Sequence, residues 1–262
     1  LKQPQAFQNY SIIFIPHGKG LYHADFGVFS FEGPMLVFST PLQQIYLESE
    51  EHIPFVMLQF HGDFYCIEYH KEQVACNGLL FNNIYITPSI VLKDAEVKVF
   101  QLLLNDMAAE ISHAVPDNMV LISYLQLFLA KSSNIKIKSL EQDVVLNKKD
   151  DQMEMFMRLL EEHYLKLHKP SDYASLLAMS PNNLSKRCLR YFKKSPSALI
   201  QERIVLEAKK KLHLTRQSIK EIAYALHFED EFYFSRFFKK FTKVSPQVFR
   251  DKTGISIVAD LA

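Results

Sequence analysis

The stretch Ser218–Arg250, SIKEIAYALHFEDEFYFSRFFKKFTKVSPQVFR, decides how the rest of the chain is read. Ser218 followed three residues later by Glu221 is a capping-box signature for a helix start. Ile222, Ala223 and Leu226 then fall on one apolar face at helical spacing. His227-Phe228-Glu229 interrupts that period. Asp230 can cap a second helix that opens on Glu231, an acidic residue suited to the positive end of a helix dipole. Along this helix Phe234, Phe238 and Phe241 fall at i, i+4 and i+7 and share a buried face. Glu231, Phe232, Ser235, Arg236 and Lys239 lie on the opposite side. A short helix, a turn and a second helix with one dry and one polar, basic face make a helix-turn-helix, whose second helix can enter a major groove.

About fifty residues earlier the pattern recurs in Ser171–Ile200, SDYASLLAMSPNNLSKRCLRYFKKSPSALI. Tyr173-Ala174 stands where Ile222-Ala223 stands, and Leu184, Cys188 and Tyr191 repeat the spacing of Phe234, Phe238 and Phe241. Ser195-Pro196 repeats Ser245-Pro246, each a capping Ser before a Pro at the first helical position. A single unit of this kind is a weak signal, because amphipathic helix pairs are common; two in tandem are far more specific.

The run Ala223, Phe228-Glu229-Asp230, Tyr233-Phe234-Ser235-Arg236, Phe238-Lys239-Lys240, Ser245-Pro246 and Phe249-Arg250 resembles the signature of the AraC/XylS family of bacterial transcription regulators. The resemblance covers roughly residues 150–252. It departs where the family usually has glycine, at His227 before the turn Phe and at Lys193 and Lys243 after the recognition helices, and Cys188 replaces a usual Phe. A left-handed turn position is costlier for Lys or His than for Gly, so these departures bear on turn geometry.

Charge is divided along the chain. Residues 1–152 carry 10 Lys/Arg against 17 Asp/Glu, a net of −7, and residues 153–262 carry 20 against 12, a net of +8. The basic half is also the half with both helix-turn-helix units, as a phosphate-binding surface requires. The 262 residues are enough for two domains with cores of their own. No apolar run reaches the roughly 18 residues of a membrane span. The N-terminal LKQPQAFQNY lacks a signal-peptide apolar core, and Cys66, Cys76 and Cys188 form no metal-type pair, so a reduced, cytoplasmic protein without a membrane partner is expected.

Residues 11–61 read as closely spaced strands: Ser11–Pro16, Gly20–Phe26, Val28–Phe31, Met35–Thr40, Gln44–Glu48 and Phe55–Phe60, with a further strand near Tyr85-Ile86. With no helical period between them they suggest an antiparallel sandwich or small barrel. HADFGVFSFEGPMLVFSTP (His23–Pro41) more loosely resembles the cupin-like sensor domain of many AraC-type regulators. From Asp94 the period turns helical, to about His113. Pro116-Asp117 breaks it, and a second helix runs to about Lys131. In the resembling family such a hairpin often pairs two subunits; the plain alternative is that it only covers the barrel. The expected organisation is an α+β multidomain chain. It has a cupin-like β domain over 1–92, a hairpin over 93–133, a polar linker over 134–151 and an all-α DNA-binding domain over 152–262, with units at about 171–192 and 218–242.

DNA binding needs cations on phosphates for affinity and side chains on base edges for sequence. In the first unit Asn182, Ser185 and Lys186 line one stripe and match positions that read bases in family members. In the second, Glu231, Phe232, Ser235 and Arg236 stand at the equivalent places. Asn suits adenine, Lys and Arg suit guanine, Phe suits a thymine methyl and Glu suits cytosine. Arg236 can instead hold a phosphate or an internal carboxylate, and Glu231 can act only as a helix-start charge. Arg190, Lys193, Lys239 and Lys240 are phosphate or solvated residues, and helix starts at Ser171 and Ser218 can offer amides to phosphates. The linking helix Pro196–Leu214 would set the two recognition helices one DNA turn apart, roughly 34 Å.

The N-terminal half holds His17, His23, His52, His61 and His70 but no His-x-His, so neither a metal nor another cofactor is expected. A sandwich interior can still take a small molecule, and Phe14, Tyr22, His23, Phe38, Tyr46 and Met57 are candidates to line it. No nucleophile elbow or phosphate-binding glycine loop occurs. The reading is a non-enzymatic, sequence-specific DNA-binding regulator. The resemblance implies an activator, a homodimer, a small-molecule effector and contact with RNA polymerase. A metal-dependent cupin enzyme fused to a DNA anchor and a sequence-blind architectural binder are the alternatives.

Overall fold

The computed structural model describes residues 1, 3–24, 27–65, 79–81, 84–146 and 150–253. Two units emerge: Leu1–Ala24, Val28–Asn83 and Thr87–Leu146 form one, and Asp25–Gly27, Ile84–Ile86 and Asn147–Ala262 the other. In the first, strands β1 (Gln5–Ala6), β2 (Tyr10–Ile15), β3 (Lys19–Ala24), β4 (Gly27–Glu32), β5 (Met35–Ser39), β6 (Gln44–Glu48), β7 (Val56–Phe60) and β8 (Ser89–Val91) make two sheets. Their orders are β1-β6-β3-β4 and β7-β2-β5-β8. The pairings β1 with β6, β3 with β6, β2 with β5 and β7, and β5 with β8 are all antiparallel.

Central strands β2 and β5 are buried at every position. Their sequences, YSIIFI and MLVFS, therefore read as nearly unbroken apolar runs, not as alternations. One face of this pair, with Ile13, Ile15, Met35 and Val37, packs on Tyr22, Ala24, Phe31, Ile45 and Leu47 of the other sheet. The opposite face, with Tyr10, Ile12, Phe14, Leu36 and Phe38, packs against a helical hairpin. The hairpin is α1 (Asp94–Ile111) and α2 (Asn118–Leu146). Phe100 and Phe128 meet across it with ring centroids 4.6 Å apart. Asp117 starts α2 by accepting from the Met119 amide at 2.7 Å.

Two expectations are corrected here. The second hairpin helix does not stop near Lys131 but continues to Leu146, through much of the stretch read as linker. Its polarity misled, because Ser132, Ser133 and Lys136 are buried. The Lys136 ammonium donates to the carbonyls of Thr87 (2.8 Å) and Ser89 (2.9 Å), which holds the helix beside β8. The strand expected near Tyr85-Ile86 is instead β8, at Ser89–Val91.

The candidate pocket residues also part company. Tyr22 belongs to the core between the sheets, with Met57 packed beside it. Phe14 and Phe38 face the hairpin. His23 and Tyr46 are register partners whose rings stack at 3.9 Å, with His23 Nε2 2.9 Å from Glu48 Oε2. Alternation along a strand sends neighbours to opposite faces, and a strand buried on both faces carries no polarity mark to say which is which. Cys66, Cys76 and His70 lie outside the described residues, among which no group of three His, Cys, Asp or Glu side chains is placed to hold a metal ion. No helix among the described residues is long and apolar enough to cross a membrane.

The second unit is helical: α3 (Asp151–His163), α4 (Pro170–Leu176), α5 (Pro181–Phe192), α6 (Pro196–Leu214), α7 (Ile219–Ala225), α8 (Glu231–Thr242) and α9 (Pro246–Thr253). Its C-terminal core is aromatic. Phe238 is fully buried, with ring centroids 5.9 Å from Phe234 and 5.4 Å from Phe249. The sequence reading turns Tyr191 inward, but Phe192 is the buried residue and Tyr191 is exposed, its hydroxyl donating to Glu154 at 2.7 Å. Truncating Phe238 to Ala leaves a cavity in this aromatic core and will cost about 3–5 kcal/mol. Phe232→Ala, on the same helix but 68% exposed, will stay within about 0.5 kcal/mol. Urea denaturation of the two variants, followed by far-ultraviolet circular dichroism, checks the contrast.

Candidate nucleic-acid interface

In both units the first helix ends in the same backbone device. After α4, the Ala178 amide donates to Ser175 O (3.1 Å) and the Met179 amide to Ala174 O (2.9 Å). After α7, the His227 amide donates to Tyr224 O (3.0 Å) and the Phe228 amide to Ala223 O (3.0 Å). These paired bonds are a Schellman motif, which requires a left-handed residue just past the helix. Ala178 (φ 52°) and His227 (φ 59°) fill that place. Caps then launch the second helices: Ser180 Oγ accepts from the Asn183 amide at 3.2 Å, and Asp230 Oδ1 from the Tyr233 amide at 2.6 Å. The second turn is one residue longer, with Glu229 between Phe228 and the cap.

The helices so launched are amphipathic as read. Leu184 and Cys188 of α5, and Phe234, Phe238 and Phe241 of α8, are buried. On the outer side of α5, Asn182 and Lys186 are exposed and Ser185 is half-buried. On α8, Phe232 and Arg236 are exposed, and Glu231 and Ser235 are half-buried. The structure thus groups each predicted base-reading set on one outward stripe. Tyr233, which the sequence reading passed over, stands beside Phe232 and is 54% exposed. Its place next to Phe234 in an aromatic run hid it.

Residues 173–252 match the family described as "Helix-turn-helix domain". This part of the chain is a helix-turn-helix domain. A curated relative, the raffinose operon transcriptional regulatory protein RafR of Pediococcus pentosaceus, is 28% identical over 131 residues, 50% of this chain and 44% of its own. The chain therefore spans less than half the length of that relative. The C-terminal domain of the response regulator yesN of Fusobacterium nucleatum is 26% identical and covers 38% of this chain and 99% of its own, with a TM-score of 0.37. ToxT of Vibrio cholerae is 15% identical over 97% of this chain and 96% of its own, with a TM-score of 0.42.

The domain accommodates lysine at two left-handed positions that favour glycine. Lys193 (φ 59°) and Lys243 (φ 65°) end α5 and α8 in left-handed conformation. Each folds its ammonium back onto its own helix end: Lys193 Nζ donates to Arg190 O at 3.0 Å and Lys243 Nζ to Lys240 O at 3.2 Å. A cation at the negative helix end recovers about 0.3–1 kcal/mol, which offsets much of the roughly 1–2 kcal/mol left-handed penalty. Cys188, in the place of a usual Phe, leaves room for Met153 from α3, its Sγ lying 3.9 Å from Met153 Sδ. Burial, with the Asp150 charge adding, pushes the Cys188 thiol up to about 12, so it stays protonated and acts as packing.

Several phosphate candidates prove to be engaged. Ser171 does not cap α4: Lys169 holds the cap position, Pro170 occupies the first turn, and Ser171 Oγ lies 3.4 Å from Asp172 Oδ1. Ser218 does cap α7, in a reciprocal box with Glu221 (3.2 and 2.6 Å), so its own amide and hydroxyl are taken. Arg190 reaches Asp150 Oδ2 at 3.4 Å yet stays 74% exposed. Lys239 and Lys240 are exposed at the C-terminal end of α8.

Asp150 is the residue no local pattern could flag. One oxygen caps α3, accepting from the Met153 amide at 3.4 Å, and the carboxylate also takes a two-pronged contact from Arg187 of α5, with Nε at 3.2 Å. Only 9% of the Asp150 side chain is exposed. Burial pushes its pKa upward, but the Arg187 hydrogen bond and charge outweigh this and hold it below the ordinary carboxylate value. A depressed native pKa means stability that is present above the unfolded value of about 3.9 and lost as pH falls below it. Asp150→Asn keeps a good cap but loses the pair. It will destabilise the domain near neutral pH by about 1–2 kcal/mol, between the exposed and buried limits for an ion pair. Thermal melts from pH 7 down to about pH 3 should show the gap to the unmodified protein narrowing as Asp150 protonates.

Proposed function

We propose that this chain is a sequence-specific DNA-binding transcription regulator that reads two successive major grooves with α5 and α8. The observation that carries the reading is the repetition. Two helix-turn-helix units share one turn device, and each presents a polar, partly basic stripe from a region of net charge +8. Single amphipathic helix pairs arise from packing alone; paired units with matching turns and outward polar stripes are built to meet a ligand of repeating geometry. RafR is named as a transcriptional regulatory protein, which agrees with this reading and leaves the regulated genes open. The setting is the cytoplasm, and the function needs no catalytic step.

In this reading Asn182, Ser185, Lys186, Glu231, Phe232, Ser235 and Arg236 face bases. Arg190, Lys239 and Lys240 face phosphates, joined by the first-turn amides of α7. The outer hairpin, with Leu102, Ile111, Val115, Met119 and Leu127 exposed, supports pairing of two copies. A small-molecule effector in the first unit would act by binding two states of the protein with different affinity, and activation would proceed through RNA polymerase.

Selection from random duplex DNA with the full chain, at two salt concentrations, tests the reading. A motif of two short blocks about one helical turn apart is expected. Arg236→Ala or Lys186→Ala will then lose about 1–3 kcal/mol on that motif and relax one base position. Lys239→Ala will weaken all sequences alike and lower the salt slope by about one. Salt-sensitive binding with no recovered motif would leave only a sequence-blind architectural role.

A further inference from the structure

A cavity of about 270 Å³ lies in the first unit between the edge strand β7 and the tip half of the hairpin. Leu58 and Phe60 of β7, Phe64, Met107 and Ile111 of α1, and Leu121 and Leu125 of α2 supply its apolar wall. The remaining lining residues are Asn9, Gln59 and His61. This space is separate from the core between the two sheets, which is filled by Tyr22, Phe31, Leu47 and their neighbours.

We propose that this cavity binds a small uncharged molecule with an apolar body and one hydrogen-bonding head. The size comes from the volume, which equals the liquid share of about nine waters and so suits roughly ten heavy atoms. The apolar body follows from the wall, where two phenylalanines give flat surface and Met107 adapts its shape. The head follows from the polar side. The Asp63 amide donates to His61 Nδ1 at 3.1 Å, so the neutral ring carries its proton on Nε2 and presents a donor. The Gln59 side chain donates to Ser11 Oγ at 3.0 Å, on the sheet face opposite Leu58 and Phe60, so His61 is left as the head's partner. A hydroxyl can accept from the His61 donor. The charge state follows from what is missing among the lining residues: none is Lys, Arg, Asp or Glu. A desolvated charge there would lack a partner.

The occupant would touch both arms of the hairpin at once. Because α2 runs unbroken from Leu121 and Leu125 to Leu146, filling the cavity braces the helix that leads out of this unit. Any effect on DNA rests on the regulator reading above; the site itself does not.

Titrating the full chain with 1-octanol, followed by calorimetry, tests the site. One saturable site per chain is expected, with octanoate at about pH 8, where it is ionised, binding roughly tenfold or more weakly. Ile111→Trp fills the rim from an exposed position and will lower octanol affinity by roughly tenfold or more with an unchanged melting temperature; Leu121→Phe is the second filling variant. No saturable binding, equal binding of octanoate, or full binding in both filled variants overturns the proposal. Octanol that binds in this manner but leaves affinity for the selected duplex unchanged supports the site and removes its effector role.

Discussion

The direction of α5 and of α8 is set by a single left-handed residue at the end of the helix before it. That residue bends the chain so that two backbone amides close back on the preceding turn, Ala178 and Met179 on α4, His227 and Phe228 on α7. Without the bend, the dry faces of α5 and α8 would not reach the core, and their outer stripes would have no fixed direction. Neither position is glycine, so each turn carries a cost of roughly 1–2 kcal/mol. Packing offsets it: Ala174 and Ala223 are buried where the helices approach closely, and Phe228 sits among Tyr233, Phe234 and Phe237 with centroid distances of 5.7, 5.3 and 5.2 Å. The turn and the aromatic cluster are therefore one cooperative feature, not two.

Electrostatics is arranged around this frame. Arg187, next to the exposed Lys186, turns inward to Asp150 while Lys186 stays outside. Arg203 of α6 lies over the Tyr164 ring at 3.8 Å and donates to Glu161 (2.8 Å) and Glu207 (3.3 Å), tying the connecting helix to α3. Arg250 donates to the carbonyls of Leu212 and Gln217 and closes the α6–α7 connection. Arg187, Arg203 and Arg250, which a charge count assigns to DNA, are thus internal struts. The surplus left on the surface is mostly lysine, a flexible point charge that suits non-directional contact.

The first unit applies a different constraint. β2 and β5 are buried on both faces, so the sheet they centre must be covered twice, once by the second sheet and once by the hairpin. That double cover makes the hairpin part of the core, whether or not it also pairs subunits. It also explains why polar residues of α2 are buried. Lys136 can be taken out of water because strand-end carbonyls receive its ammonium.

What the sequence determined by itself was local. Periods of 3.6 and 2, caps at Ser195, Ser218 and Asp230, and the repeat at a fifty-residue offset placed most of the strands and helices and both outward stripes. These signals rest on contacts between residues a few positions apart, which a sequence displays directly. Only the tertiary structure decided which face of β2 looks at which layer, that α2 continues through a polar stretch, that Arg187 pairs with Asp150, and that a cavity lies under the hairpin. Each of those depends on a partner tens of residues away. Burial of a polar or charged group is favourable or ruinous according to whether that partner is present, and no local pattern records it.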